Sequence, residues 1–205
     1  AILSWVLHSA ERKPGFMVGG WMKNFDGNHA IPQGEFFVSE GDEYDTAFFD
    51  KGPKFLHYNP FASILTGVEF DHADIYRDLE HIKDSFRKFV NIIHPKGFLL
   101  AAISDKHTKD VLAEASCKVE TYGFSSSADW VADNYRFEDG KGYFTLSHKG
   151  SKLSTFQLPM IGQHNIENAT AVAAMCIKLG LTIQEIQKGF TTFKGIKRRQ
   201  EIIGV

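Results

Sequence analysis

The hydropathy pattern predicts an α/β fold: a mostly parallel sheet flanked by helices, followed by a small antiparallel β element. Three observations point there. Short apolar runs alternate with amphipathic helical stretches up to about residue 124. Two of those runs end in acidic or imidazole side chains, Glu40-Gly41-Asp42-Glu43 and Glu69-Phe70-Asp71-His72, which puts them at the carboxyl edge where open α/β sheets bind ligands. Past that point the pattern changes to short alternating strands joined by Asp139-Gly140 and Lys149-Gly150 turns.

Taken in order, Ile2, Leu3, Val6 and Leu7 recur at helical spacing until Pro14-Gly15 breaks them. Phe16-Met17-Val18 reads as a strand ending at Gly19-Gly20, Glu35 to Val38 as a second and Ala62 to Val68 as a third. A helix over Asp74 to Ile93 places Ile75, Leu79, Ile82, Phe86, Phe89 and Val90 on one face; Asp74 is its expected N-cap and Pro95-Lys96-Gly97 its stop. Phe98 to Ile103 is a buried strand, Lys106 to Ala115 a short helix and Val119 to Phe124 a further strand. The antiparallel strands fall near Tyr135–Phe137, Gly142–Ser147 and Leu153–Leu158. Asn165 to Leu179 then makes a helix rich in small residues, Thr182 to Phe190 a second, and Lys194 to Gln200 a basic loop.

Composition narrows the class. The 205 residues carry 23 Lys+Arg against 25 Asp+Glu, a net charge of -2, with 43% hydrophobic residues. That is an ordinary globular balance, without the basic excess of a nucleic-acid binder. Cys117 and Cys176 make no disulfide framework and fit a reducing cytoplasm. No apolar run approaches the ~20 residues that cross a bilayer, and no export signal is visible at the N-terminus.

Four segments could carry chemistry. The run Glu40 to Asp45 concentrates carboxylates beyond a strand, suited to Mg²⁺, which takes one or two carboxylates and fills its shell with water and phosphate; a solvated turn is the plain alternative. His72 could bind metal or move a proton, or could be a hydrogen-bonded structural residue. Asn165 and Asn168 lie three apart in a first helical turn, where paired amides can read a purine edge, although Asn165 could equally cap the helix. Lys197-Arg198-Arg199 could hold phosphate or face solvent. A metal-dependent hydrolase built on Glu40, Asp42 and His72 is physically allowed, but no nucleophile signature accompanies it. The loop pattern GxxxxGK[ST] that grips phosphate is absent.

Together the blocks Glu40-Gly41-Asp42-Glu43-Tyr44-Asp45, Glu69 to Ile75, Gly162-Gln163-His164-Asn165-Ile166-Glu167-Asn168 and Gly195 to Glu201 resemble the central ATP-binding domain of the Mur ligases, which is P-loop NTPase-like. The continuation Thr46-Ala47-Phe48-Phe49-Asp50-Lys51, with Lys54-Phe55 and His57-Tyr58, resembles the tripeptide-adding branch more than the alanine-adding one. The resemblance implies that residues 1–205 are that domain, starting just after the phosphate loop and stopping before the C-terminal domain. It implies an ATP- and Mg²⁺-dependent amide ligase of the cytoplasm joining L-Ala-γ-D-Glu-meso-diaminopimelate to UDP-N-acetylmuramate in peptidoglycan recycling, mainly through domains outside this chain, with no membrane or nucleic-acid partner. An alanine-adding or other Mur-type ligase is the near alternative, and a non-catalytic nucleotide-binding module the distant one. By resemblance Glu40 and His72 would hold Mg²⁺, Asn165 and Asn168 would contact adenine with His164 beside them, and Arg199 would meet the nucleotide phosphates. Several members use a carbamylated lysine some fifteen residues after the metal histidine; here Arg87 holds that offset, between Lys83 and Lys88, so no lysine is assigned.

Overall fold

The computed structural model describes residues 1–69 and 76–199. It divides into two compact units, one formed by Ala1–Glu40 and the chain from Val131 onward, the other by Gly41–Trp130.

The first unit opens with α1 (Ile2–Ser9), β1 (Gly15–Met22), β2 (Gly27–Ala30) and β3 (Phe37–Ser39). β1 lies between the other two strands, antiparallel to β2 (Phe16 opposite Ala30) and parallel to β3 (Phe16 opposite Val38). Its period-2 alternation sends Phe16, Val18 and Met22 into a core completed by Phe25, Ala30 and Val38, while Met17 and Trp21 stay exposed. β1 runs through Gly19-Gly20, where the sequence suggested an end. A Cβ on Gly20 would come within 2.6 Å of the Ile196 side chain, so the glycine is there for close approach.

The second unit starts with a hairpin, β4 (Asp45–Ala47) and β5 (Asp50–Pro53), whose tip exposes Phe48 and Phe49. β6 (Ala62–Leu65), β7 (Phe98–Ala102) and β8 (Lys118–Gly123) then pair in parallel, Leu65 opposite Ala101 and Ala101 opposite Thr121. The helices between them are α2 (Leu79–Asn91) and α3 (Thr108–Leu112). β7 is buried at all five residues, as expected of a strand covered on both faces. Leu65, Val68, Tyr76, Ile82, Val90, Ile93, Leu99 and Val111 form one core. The predicted cap Asp74 and the start of that helix lie outside the described residues; α2 is capped by Asp78, whose carboxylate accepts from His81 N at 2.8 Å.

The chain returns to the first unit at Val131, and β9 (Trp130–Glu138), β10 (Lys141–His148) and β11 (Ser151–Leu158) form the antiparallel element, with β10 in the middle. Both connecting turns hold two residues at positive φ, Asp139 at 48° with Gly140 at 71° and Lys149 at 48° with Gly150 at 79°. That is the backbone demanded by a tight hairpin, and it explains the Asp-Gly and Lys-Gly pairs. α4 (Gln163–Lys178) and α5 (Ile183–Thr192) follow. α5 opens with a reciprocal capping box between Thr182 and Glu185. α4 buries the unbroken run Ala169 to Cys176, and its small side chains let neighbours approach. Phe144 stacks on Phe156, which meets Phe190 edge-on, each ring fully buried and contributing about 1.5–3 kcal/mol.

Both cysteines are free thiols. Burial pushes the Cys176 thiol far above its ordinary pKa, and burial also raises Cys117, which is only half-buried. In an Ellman titration of native protein, Cys117 is expected to react slowly and Cys176 only after denaturant is added; two equally fast thiols would contradict this packing.

Candidate functional site

Glu40 follows the last residue of β3, at the carboxyl end of the parallel β1–β3 pair. Its backbone N–H donates to Met17 O at 3.1 Å, which continues the ladder by one residue. Its side chain turns back onto β1, where Oε2 accepts from Gly19 N at 2.6 Å. A carboxylate has two oxygens and about four acceptor sites, so this bond orients the group while remaining compatible with ligation of a cation. As a single carboxylate it could serve a hard divalent ion that keeps most of its water.

The rest of the acidic run belongs to the other unit and is occupied differently. Asp42 pairs with Lys54 Nζ at 2.8 Å and, beyond the run, Asp50 pairs with His57 Nε2 at 2.7 Å. The Glu43 carbonyl accepts from Tyr76 OH at 2.8 Å. Among the described residues no group of three or more His, Cys, Asp or Glu is placed to hold a metal. Asp42, one of the three groups of the hydrolase alternative, has its Oδ2 on Lys54 Nζ. His72 lies outside the described residues.

A residue that the sequence reading passed over stands near the segment leading to His72. Asp105, beyond β7, accepts from Val68 N at 2.9 Å, from Thr108 Oγ1 at 2.9 Å and from His107 N at 3.0 Å. Partial burial pushes its pKa up, but these hydrogen bonds outweigh that and hold the carboxyl below its ordinary value. One ionised side chain thus ties the loop after β6 to the loop after β7. No local motif marks it, because its partner Val68 is 37 residues away.

The Gly162 block opens α4. The N-cap is Gly162, at φ 102°, rather than Asn165, and a Cβ there would meet the His164 ring at 2.8 Å. Asn165 is buried one turn in, and its Nδ2 donates to Ile161 O at 2.7 Å, which fixes the carboxamide at the helix mouth. His164 and Asn168 are exposed beside it. Arg199 is exposed at the end of the basic loop, which is laid against β1 by an antiparallel bridge between Met22 and Ile196 and by Lys197 N donating to Trp21 O at 2.9 Å. The structure therefore places Glu40, His164, Asn165, Asn168 and Arg199 in one compact unit.

On α2, Lys83 is almost fully buried and reaches Asp110 at 2.8 Å and Glu80 at 3.0 Å. Hydrogen bonds to those two carboxylates, Asp110 first, raise its pKa and hold it as ammonium. Carbamylation needs a neutral amine, so this pairing works against it at Lys83. Arg87 bridges Asp84 and Glu80 on the same helix.

The family model Mur ligase middle domain matches residues 29–176. A UDP-N-acetylmuramate–L-alanyl-γ-D-glutamyl-meso-2,6-diaminoheptandioate ligase of Haemophilus influenzae is 35% identical over 203 residues, 99% of this chain and 44% of that protein. A UDP-N-acetylmuramate–L-alanine ligase of Acetivibrio thermocellus is 32% identical over 207 residues, 100% of this chain and 43% of that protein. The chain thus spans less than half the length of these relatives. Among solved structures, a UDP-N-acetylmuramate:L-alanyl-γ-D-glutamyl-meso-diaminopimelate ligase from Neisseria meningitides superposes with a TM-score of 0.85 at 34% identity, covering 96% of this chain and 62% of that one. A murein peptide ligase from Psychrobacter arcticus gives 0.81 at 30% identity, covering 99% and 46%.

Proposed function

The chain belongs to the Mur ligase family, and from that premise we propose that it is the ATP-binding middle domain of a longer enzyme that joins L-Ala-γ-D-Glu-meso-diaminopimelate to UDP-N-acetylmuramate in the cytoplasm. The observation that carries the reading is the 35% identity to the tripeptide-adding ligase across 99% of the chain. Among the described residues no helix is long and apolar enough to cross a membrane.

In this reading the muramyl carboxylate attacks the γ-phosphate of ATP and ADP leaves; the peptide amine then adds to the acyl phosphate and expels inorganic phosphate. Negative charge gathers where carboxylate, triphosphate and developing oxyanion meet, and bound Mg²⁺ supplies countercharge there. The chain's own residues position the reactants. Glu40, oriented by Gly19 N–H, would help hold a Mg²⁺ on the γ-phosphate side, and His72 would hold a second Mg²⁺. The fixed Asn165 carboxamide, with Asn168 and His164, would contact adenine. Arg199 would lie along the phosphates, its guanidinium suited to paired contacts with their oxygens.

The test is phosphate release by the intact parent protein. Release is expected only when UDP-N-acetylmuramate, the tripeptide and MgATP are all present, and replacing the tripeptide with L-alanine should abolish it. The similarity to an alanine-adding ligase over the whole chain supports a second reading, which wins if L-alanine alone sustains turnover.

A further inference from the structure

We propose that Asn24, assisted by the Trp21–Asp26 pair, is a positioning residue that sets the basic loop so that Arg199 meets the nucleotide phosphates, an inference that rests on the reading of Arg199 given above. An arginine that neutralises phosphate must be held in place before the charge develops, since a displacement of about 1 Å can lower the rate about 100-fold. Arg199 itself is exposed at the end of a connecting segment, so its placement depends on what fastens that segment.

The fastening is concentrated on the end of β1 and the turn after it. Thr192 is the last residue of α5, where backbone carbonyls have no partner within the helix. Asn24 Nδ2 donates to that carbonyl at 2.9 Å, and Asn24 Oδ1 accepts from Lys194 N at 2.7 Å. One carboxamide therefore clasps the chain on both sides of the buried Phe193. Lys23 N donates to Gly195 O at 3.1 Å, one residue further along. Lys197 then reaches back: its Nζ sits 3.2 Å from Asp26 Oδ1 and 5.0 Å from the centre of the Trp21 ring. Trp21 Nε1 donates to the same Asp26 oxygen at 2.9 Å. Gly19, two residues before Trp21, holds the Glu40 carboxylate through its N–H. A single stretch, Gly19 to Asp26, thus carries both the proposed cation ligand and the seat of the proposed phosphate ligand.

Asp26 is exposed and Asn24 half-buried, so these polar contacts add little to global stability. Their loss is read in function. In the intact ligase, Asn24→Ala should raise KM for ATP about tenfold, with KM for UDP-N-acetylmuramate and the thermal midpoint close to the parent's. Asp26→Asn keeps an acceptor oxygen for Trp21 Nε1–H, so it should give a smaller rise; it serves if Asn24→Ala does not fold. In an Arg199→Ala background, Asn24→Ala should add nothing further, because its effect passes through that arginine. An equal effect in both backgrounds, or no effect with Arg199 present, overturns the positioning role. Unchanged ATP kinetics in Arg199→Ala alone overturns the reading of Arg199 and the positioning role with it; an impaired Arg199→Ala beside a silent Asn24→Ala overturns only the latter.

Discussion

Replacing Glu40 with glutamine is expected to lower kcat/KM of the intact ligase by about 10²- to 10³-fold, the loss typical of removing one preorganised electrostatic contact from a reacting centre. The substitution is chosen to spare the fold. A glutamine carbonyl can still accept from Gly19 N, the bond that Glu40 Oε2 makes at 2.6 Å, and the strand ladder through Met17 O is untouched. What disappears is the negative charge at the end of β3. If that charge holds Mg²⁺, the variant should need a higher Mg²⁺ concentration for half-maximal turnover and should recover part of its rate when the metal is raised. A variant with parental kcat/KM and parental Mg²⁺ dependence would falsify the assignment of Glu40.

Gly97→Ala should be the most damaging small substitution in the second unit, destabilising it by about 3 kcal/mol. The turn His94-Pro95-Lys96-Gly97 closes with Gly97 N donating to His94 O at 2.7 Å, and the chain enters β7 with Phe98 N on Phe61 O at 3.1 Å. A Cβ at Gly97 would lie 1.8 Å from Phe61 O and 2.8 Å from Phe61 C. Those are backbone atoms, so no rotamer relieves the clash. The entry to β6 would have to move, and with it the Ala62–Phe98 register that starts the parallel sheet. For a chain of this size each kcal/mol lowers the midpoint by about 2–4 °C, giving a drop of roughly 6–12 °C by thermal denaturation. Gly140→Ala is the contrasting control. Nothing lies within 4 Å of its added Cβ, and only the positive φ of 71° opposes it, at about 1 kcal/mol. Equal losses from the two variants would show that space at Gly97 is not what decides its identity.

The two glycines also separate what could be read along the chain from what could not. Gly140 is legible: Asp139-Gly140 between alternating segments is a turn signal, and the structure has both residues at positive φ. Gly97 is legible only as a helix stop, because the carbonyl it would strike belongs to a residue 36 positions earlier (97 minus 61). The boundaries repeat the pattern. Thr182 and Glu185 announce α5, as a reciprocal cap is written in four consecutive residues. β2 and the β4–β5 hairpin carry little strand signal in Gly27-Asn28-His29-Ala30 or Asp50-Lys51-Gly52-Pro53, and they exist because a partner strand pairs with them.

The sequence by itself determined the alternation of strands and helices, the tight turns, the family and the residue types of the candidate site, because dihedral preference, hydrophobic period and motif all reside in neighbouring residues. Only the tertiary structure decided that Glu40 rests on Gly19, that Asp105 ties down Val68, that Asp42 answers Lys54 and that Asn24 clasps Thr192 from 168 residues away. Those pairings join groups whose separation along the chain carries no periodic signal. They form because strand register and helix packing bring a donor and an acceptor to within 3 Å of each other.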